Sequence, residues 1–334
     1  MSWQWTEDVE EFRRVADPYL AADAARNTVL LTVSESLRGG DGGDGGDGVG
    51  DGDGGAADAD PPGAGDGPAR FGWWREDGPD TLDPDTPDPD TPGAPVSGAF
   101  LQTPPYPPYL GTMPARAAVA LAHALRAGEL GQRGAALTEV RGRAADIGAF
   151  GAAWADGTGP SAGDRAAGPS PYRLTHHIRL FRLGELTPQS PAPEGRARPA
   201  RAEDVPLVAA WLTAFADEIG EPAGADQSGP ARARIGQGLL LLWEKDGVPV
   251  SLAGRSPLLA DQIRIAPVYT PPAHRGRGYA AGVTAAISEA ARRAGAREVL
   301  LFADNANPTS TALYQRLGYR PIEGYATLEL DGGT

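Results

Sequence analysis

The chain has 334 residues, no cysteine and four histidines, with a formal net charge of −14. Without cysteine, disulfides, thiolate metal sites and a cysteine nucleophile are excluded, and the few scattered histidines give no sign of a metal cluster. The acidity is local: residues 39–95 hold fifteen Asp and Glu against two Arg, so the remainder is close to neutral and the total does not describe a substrate.

Taken in chain order, the opening residues Met1 to Asp8 lack the basic and apolar stretches of a signal peptide, and no apolar run is long enough to span a bilayer. A soluble, cytoplasmic protein with no membrane association is expected. Val9 to Ala25 has helical apolar spacing, and Asn27-Thr28 can cap a second helix through Leu37. Gly39 to Gly67 is mostly Gly and Asp with almost nothing to bury, and Asp83 to Pro92 repeats Asp-Pro and Asp-Thr-Pro. Residues 39–67 and about 76–95 are therefore expected to be disordered acidic inserts. Between them Phe71-Gly72-Trp73-Trp74 reads as a strand docked on a core.

Val96 to Thr103 reads as a strand, Pro114 opens an alanine-rich helix to Ala127, Ala144 to Ala155 reads as another helix, and Tyr172 to Leu183 as a strand. Thr187 to Gly195, rich in proline, reads as an interdomain linker. After it come a short strand at Ala197 to Ala200 and a helix opened by Glu203-Asp204. Lys245-Asp246-Gly247 marks a hairpin between two apolar runs. Strands at Ile263 to Tyr269, Glu298 to Phe302 and Tyr325 to Leu330 alternate with helices after Gly278 and from Pro308 to Leu317. The expected class is α/β (α+β): a mixed central sheet flanked by helices, with residues 1–185 as a smaller accessory domain, 186–195 as linker and 196–334 as the second domain.

Two segments carry chemistry. In the first, the strand ending at Val268-Tyr269-Thr270 runs through Arg275-Gly276-Arg277-Gly278-Tyr279-Ala280 into a helix. Unpaired amides at a helix start attract anions, and glycines let a pyrophosphate approach the main chain. A merely tight, basic turn fits the same spacing. In the second, Asn307 to Tyr319 reads either as part of a site or simply as a capped helix, with Asn307 the N-cap, Pro308 in the first turn, Tyr314 in the core and Gly318 the stop.

Together the two segments resemble the GNAT N-acetyltransferase superfamily over roughly Arg196 to Leu330. Arg275-x-x-Gly278-x-Ala280 is similar to its acetyl-CoA motif, and Asn307 with Leu313-Tyr314 and Leu317-Gly318-Tyr319 to its second conserved segment. The resemblance implies an acetyl-CoA-dependent N-acetyltransferase that uses acetyl-CoA as co-substrate, holds no metal and acts on an amine of a small molecule or protein. It implies that the backbone of Val268, Tyr269 and Thr270 pairs with the pantetheine arm. It further implies that Gly276, Arg277, Gly278, Tyr279 and Ala280 hold the pyrophosphate with Arg275 nearby, that Asn307 faces the cofactor, and that Tyr314 is the general acid. Glu218, Glu244, Asp261 and Asp304 are candidate bases, none of them selected. An acyl-CoA sensor without turnover is the alternative. A nucleic-acid module built on Arg-Gly-Arg-Gly lacks the surrounding basic, aromatic face, so no nucleic-acid partner is expected. In the N-terminal half, Ala99 to Pro105 echoes Ala266 to Pro272, which suggests a degenerate GNAT-like domain without the arginine-glycine turn.

Overall fold

The computed structural model describes residues 2–38, 67–76, 94–129, 137–156, 172–220 and 226–330. Both expected acidic inserts fall almost wholly outside these residues. The elements, in chain order, begin with β1 (Ser2–Thr6), α1 (Val9–Ala22), α2 (Thr28–Arg38), β2 (Arg70–Arg75), β3 (Val96–Gln102), β4 (Tyr109–Leu110) and α3 (Ala115–Ala127). They continue with β5 (Glu139–Arg143), α4 (Ala144–Asp156), β6 (Tyr172–Leu183), β7 (Arg196–Pro199), α5 (Val205–Ile219), α6 (Ser228–Gly236) and β8 (Leu240–Lys245). The last are β9 (Val248–Arg255), β10 (Gln262–Tyr269), α7 (Tyr279–Arg293), β11 (Glu298–Asp304), α8 (Pro308–Arg316) and β12 (Tyr319–Leu330). Most expected elements are present; β1, β4, β5 and α6 are additions, and β12 starts six residues earlier than its apolar pattern suggested. Among the described residues no helix is long and apolar enough to cross a membrane.

The chain divides into two compact units assembled from non-consecutive stretches. The first comprises residues 1–23, 64–175 and 326–334, and the second 24–63 and 176–325. In the first, the strands run in the order β1-β2-β3-β4-β5 and then the end of β12, with β1, β2, β3 and β4 successively antiparallel and β4 parallel to β5. Helix α1 starts on Asp8, whose Oδ1 accepts from the Glu10 amide at 2.8 Å, and buries Phe12, Ala16 and Leu20 at four-residue spacing. Phe12 stacks on Phe71 of β2 with ring centroids 5.1 Å apart.

In the second unit the order is β7-β8-β9-β10-β11 and then β6. Here β7 to β10 are antiparallel in turn, and β10 is parallel to β11. This is the sequence of pairings found in the first unit. The likeness makes β4, not β3, the counterpart of β10, so the Thr103-Pro104-Pro105 string, which falls between β3 and β4, does not correspond to Thr270-Pro271-Pro272. The echo in the sequence therefore aligns different places in the fold.

Helix α7 crosses between the parallel strands β10 and β11 and buries Tyr279, Val283, Ile287 and Ala291 against Ile263, Ile265, Val299 and Leu301. A four-residue step keeps these side chains on one stripe, and each buried aliphatic contributes about 1.5–3 kcal/mol. Helices α5 and α6 form a second core with β8 and β9 through Val205, Val208, Leu212, Leu240, Leu242 and Leu252. Helix α2, early in the chain, also joins this unit: Thr28 donates to Gln262 at 3.0 Å and Arg264 donates to Thr32 at 2.8 Å, all four buried.

Candidate active site

Parallel pairing of β10 with β11 runs only from Gln262↔Glu298 to Arg264↔Leu300, although the strands continue to Tyr269 and Asp304. On its other side β10 stays paired with β9, but the register shifts by one residue between Ile265 and Val268. Such a bulge bends one strand and redirects the residues beyond it. The two strands thus part before their C-terminal ends, leaving main-chain donors and acceptors of residues 265–269 without β11 as partner.

The bulge is held from beneath. Arg234 on α6 is fully buried, and its Nη2 donates to the Ala266 carbonyl at 2.6 Å. A β-carbon on Gly254, the neighbouring position of β9, would lie 2.3 Å from that carbonyl oxygen and 2.7 Å from the guanidinium, so only glycine fits there. Past the bulge Val268 faces the α7 side and packs against the core that includes Tyr279 and Tyr314. Tyr269 faces α5, where Trp211 and Phe215 approach its ring at 6.1 and 6.5 Å. Burial, and then the charge of Glu218, push the Tyr269 hydroxyl above its ordinary range, so this phenol stays neutral at physiological pH. Beneath it the buried Ser251 Oγ donates to the Tyr269 carbonyl at 3.0 Å and lies 2.8 Å from Thr270 Oγ1.

A single 3₁₀ turn, Pro272 to His274, then leads to Arg275-Gly276-Arg277-Gly278. Gly276 and Gly278 have φ of +74° and +81°, a region that side chains rarely enter. These two left-handed residues wrap the chain tightly into α7. The first α7 amide with an acceptor on this turn is that of Gly282, which donates to the Gly278 carbonyl at 3.0 Å. The N–H groups from Gly276 to Ala280 have no backbone acceptor among the described residues. A β-carbon on Gly276 would meet nothing within 4 Å. Open space at Gly276, beside a run of free amides at a helix start, suits a phosphate.

The two arginines of the turn differ. Arg275 donates through Nε to the Thr270 carbonyl at 2.8 Å and forms an ion pair with Glu218 on α5, so it braces the turn. Arg277 is exposed and makes no ion pair among the described residues. Beyond β11, the exposed Asn307 caps α8, its Oδ1 accepting from the Ser310 amide at 3.0 Å. Tyr314 lies seven residues on, 9% exposed, packed edge-on against Tyr319 at 6.1 Å. Because β10 and β11 are parallel, the turn after one and the helix after the other belong to the same edge of the sheet. Tyr314, Val268 and Tyr279 share one apolar cluster there.

The four candidate acids separate on position. Glu244 is held by Arg198 at 2.6 Å, and Asp261 lies beside Arg297 at the start of β10, the end remote from Tyr269. Asp304 closes the turn after β11 by accepting from the Ala306 amide at 2.7 Å. Glu218 adjoins Arg275 and Tyr269. Neither Arg234 nor Ser251 stands out in the sequence. A buried arginine on a short helix with no apolar period gives no local signal, and its role exists only once the bulge is formed.

Residues 206–319 match the family model described as acetyltransferase (GNAT) family. Among solved structures, a GCN5-related N-acetyltransferase from Sphaerobacter thermophilus is 19% identical with a TM-score of 0.51, over 92% of each chain. A Drosophila protein is 12% identical with a TM-score of 0.59, over 99% of each chain. The GCN5-related glucosamine N-acetyltransferase region of a fungal multi-domain GH3 β-N-acetylglucosaminidase is 10% identical with a TM-score of 0.52, covering 98% of this chain and 38% of that one. These likenesses are of fold. No curated protein sequence matches the chain.

Proposed function

Residues 206–319 form a domain of the GNAT acetyltransferase family, and from that premise we propose that the protein is an acetyl-CoA-dependent N-acetyltransferase acting on a primary amine of a small molecule or protein. The observation that carries the reading is the parting of β10 from β11 beside a turn of free amides, with Tyr314 on the helix after β11. Acetyl-CoA supplies the activated acetyl group as a thioester. The amides of Gly276 to Ala280 hold its pyrophosphate, with Arg277 adding charge, and the edge of Val268 to Thr270 that β11 leaves unpaired pairs with the pantetheine amides.

The acceptor's neutral amine attacks the thioester carbonyl carbon, the carbon–sulfur bond breaks, and the nitrogen gives up a proton to water. Backbone N–H groups at the parted strand stabilise the oxyanion as it develops. Tyr314 gives its hydroxyl proton to the departing thiolate, a contribution that general-acid catalysis sets at roughly 10²–10⁴ in rate. The acceptor approaches from the α5 side, across Trp211, Phe215 and Tyr269. No base is assigned.

Incubation with acetyl-CoA and a panel of primary amines, followed by mass spectrometry and titration of free thiol, tests this. Equimolar acetylated amine and free CoA are expected. Tight CoA binding with no acetylated product from any amine in the panel or in a cell extract would instead mark an acyl-CoA sensor.

A further inference from the structure

The stretch Thr187 to Gly195 has the composition of a linker, yet both of its flanks lie in the same unit and it is fastened at each end. At one end the Gly184 and Thr187 amides donate to the Gly318 and Leu317 carbonyls, each at 3.0 Å. At the other, Trp243 Nε1 donates to the Glu194 carbonyl at 2.9 Å, and Lys245 pairs with the Glu194 carboxylate. Three glycines mark its path. A β-carbon on Gly318 would lie 1.8 Å from the Glu185 carbonyl oxygen, and one on Gly282 would lie 2.8 Å from Pro193 Cγ. One on Gly278 would lie 3.0 Å from Gln189 Oε1 and 3.3 Å from its Nε2. The segment is therefore a strap drawn over both motifs, and its one carboxamide stands at the first turn of α7.

That carboxamide makes no hydrogen bond within the described residues. It lies against Gly278 at the start of α7, where free amides suit an anion; beside such a bound anion a neutral donor adds a hydrogen bond, whereas a carboxylate would repel it. We propose that Gln189 is a binding residue for the cofactor's pyrophosphate, its Nε2 donating to the anion held at the start of α7, so that the strap completes the phosphate site. The inference rests on the acetyl-CoA reading above and adds to it a residue from outside the matched segments.

The test uses the full-length protein and two substitutions, Gln189→Ala and Gln189→Glu. Both are at an exposed position with no partner to lose, so the fold is retained. Removing a hydrogen bond to a charged group weakens binding about tenfold, and a carboxylate in the same place weakens it about a hundredfold. Calorimetry with CoA is expected to show that order: wild type, then Ala, then Glu. The second readout is turnover with S-acetylpantetheine, a donor without the pyrophosphate, which is expected to be equal in all three proteins. Equal losses with both donors would make the strap merely structural and overturn the proposal. Unchanged CoA affinity in both variants, or tighter binding by Gln189→Ala, would overturn it as well, the latter because the side chain would then be an obstacle. Absence of CoA binding by the wild type would defeat the acetyltransferase reading and this inference together, an outcome distinct from any variant effect.

Discussion

Tyr314 is the residue at which a catalytic and a purely structural reading give different numbers. It is mostly buried and packs on Tyr319, so its ring is part of the core whatever its hydroxyl does. Tyr314→Phe keeps the ring. If the hydroxyl protonates the leaving thiolate, turnover falls by roughly 10²–10⁴ with little change in acetyl-CoA affinity. Near-normal turnover in steady-state kinetics would leave the residue as core alone. Gly278 sets a second local test. Valine there must adopt a φ of +81°, and its β-carbon would press on Gln189 at 3.0 Å. CoA affinity is expected to collapse while circular dichroism stays native, and an unchanged dissociation constant would remove the phosphate role of the turn. The positions of both residues were legible from short-range spacing, a strand, a glycine turn and a helix in one case and a capped helix in the other, while the roles proposed for them come from the family resemblance. Arg234 and Gln189 were not legible. One acts through a bulge in a strand more than thirty residues away, the other through a strap whose course is fixed by glycines elsewhere in the chain.

Among the elements, α5 depends on a compact ion network for its placement. Arg198 of β7 donates to both oxygens of Asp204 at 2.6 and 2.9 Å and through Nε to Glu244 of β8 at 2.6 Å, while the Arg201 amide donates to Asp204 at 2.8 Å. The Arg198 hydrogen bonds, and then the Arg201 amide, hold the Asp204 carboxyl below the usual range against the opposing effect of its burial. A depressed carboxylate stabilises the fold fully above the ordinary aspartate range, about pH 4, and the gain is lost as pH falls through the lowered value. Asp204→Asn is therefore expected to cost about 3 kcal/mol at neutral pH. The gap to wild type in urea unfolding should narrow as the medium is acidified below pH ~4. A gap that does not change with pH would mean the loss comes from packing. The sequence signalled α5 by its apolar period but missed α6, where Ser228 to Gly236 offers neither stripe nor cap. The fringe strand β1 was lost for a similar reason: Ser2 to Thr6 takes its conformation from pairing with β2.

On the scale of the whole chain, two units repeat one order of pairings, and among the described residues a glycine-arginine turn between parallel strands is found in the second. Where α7 comes after Arg275-Gly276-Arg277-Gly278, α3 comes after Gly111-Thr112-Met113 and is capped by Pro114, which makes no side-chain capping bond. The composition of the units was hidden from a linear reading. Contacts such as Arg264 with Thr32, 232 residues apart, bring α2 into the second unit, and no local pattern encodes so distant a partner. Binding of acetyl-CoA at the turn that opens α7 is tested most directly by isothermal titration of the full-length protein with acetyl-CoA. One site per chain is expected, abolished by Gly278→Val; no heat of binding, two equal sites, or a Gly278→Val protein that binds as tightly as wild type would contradict it.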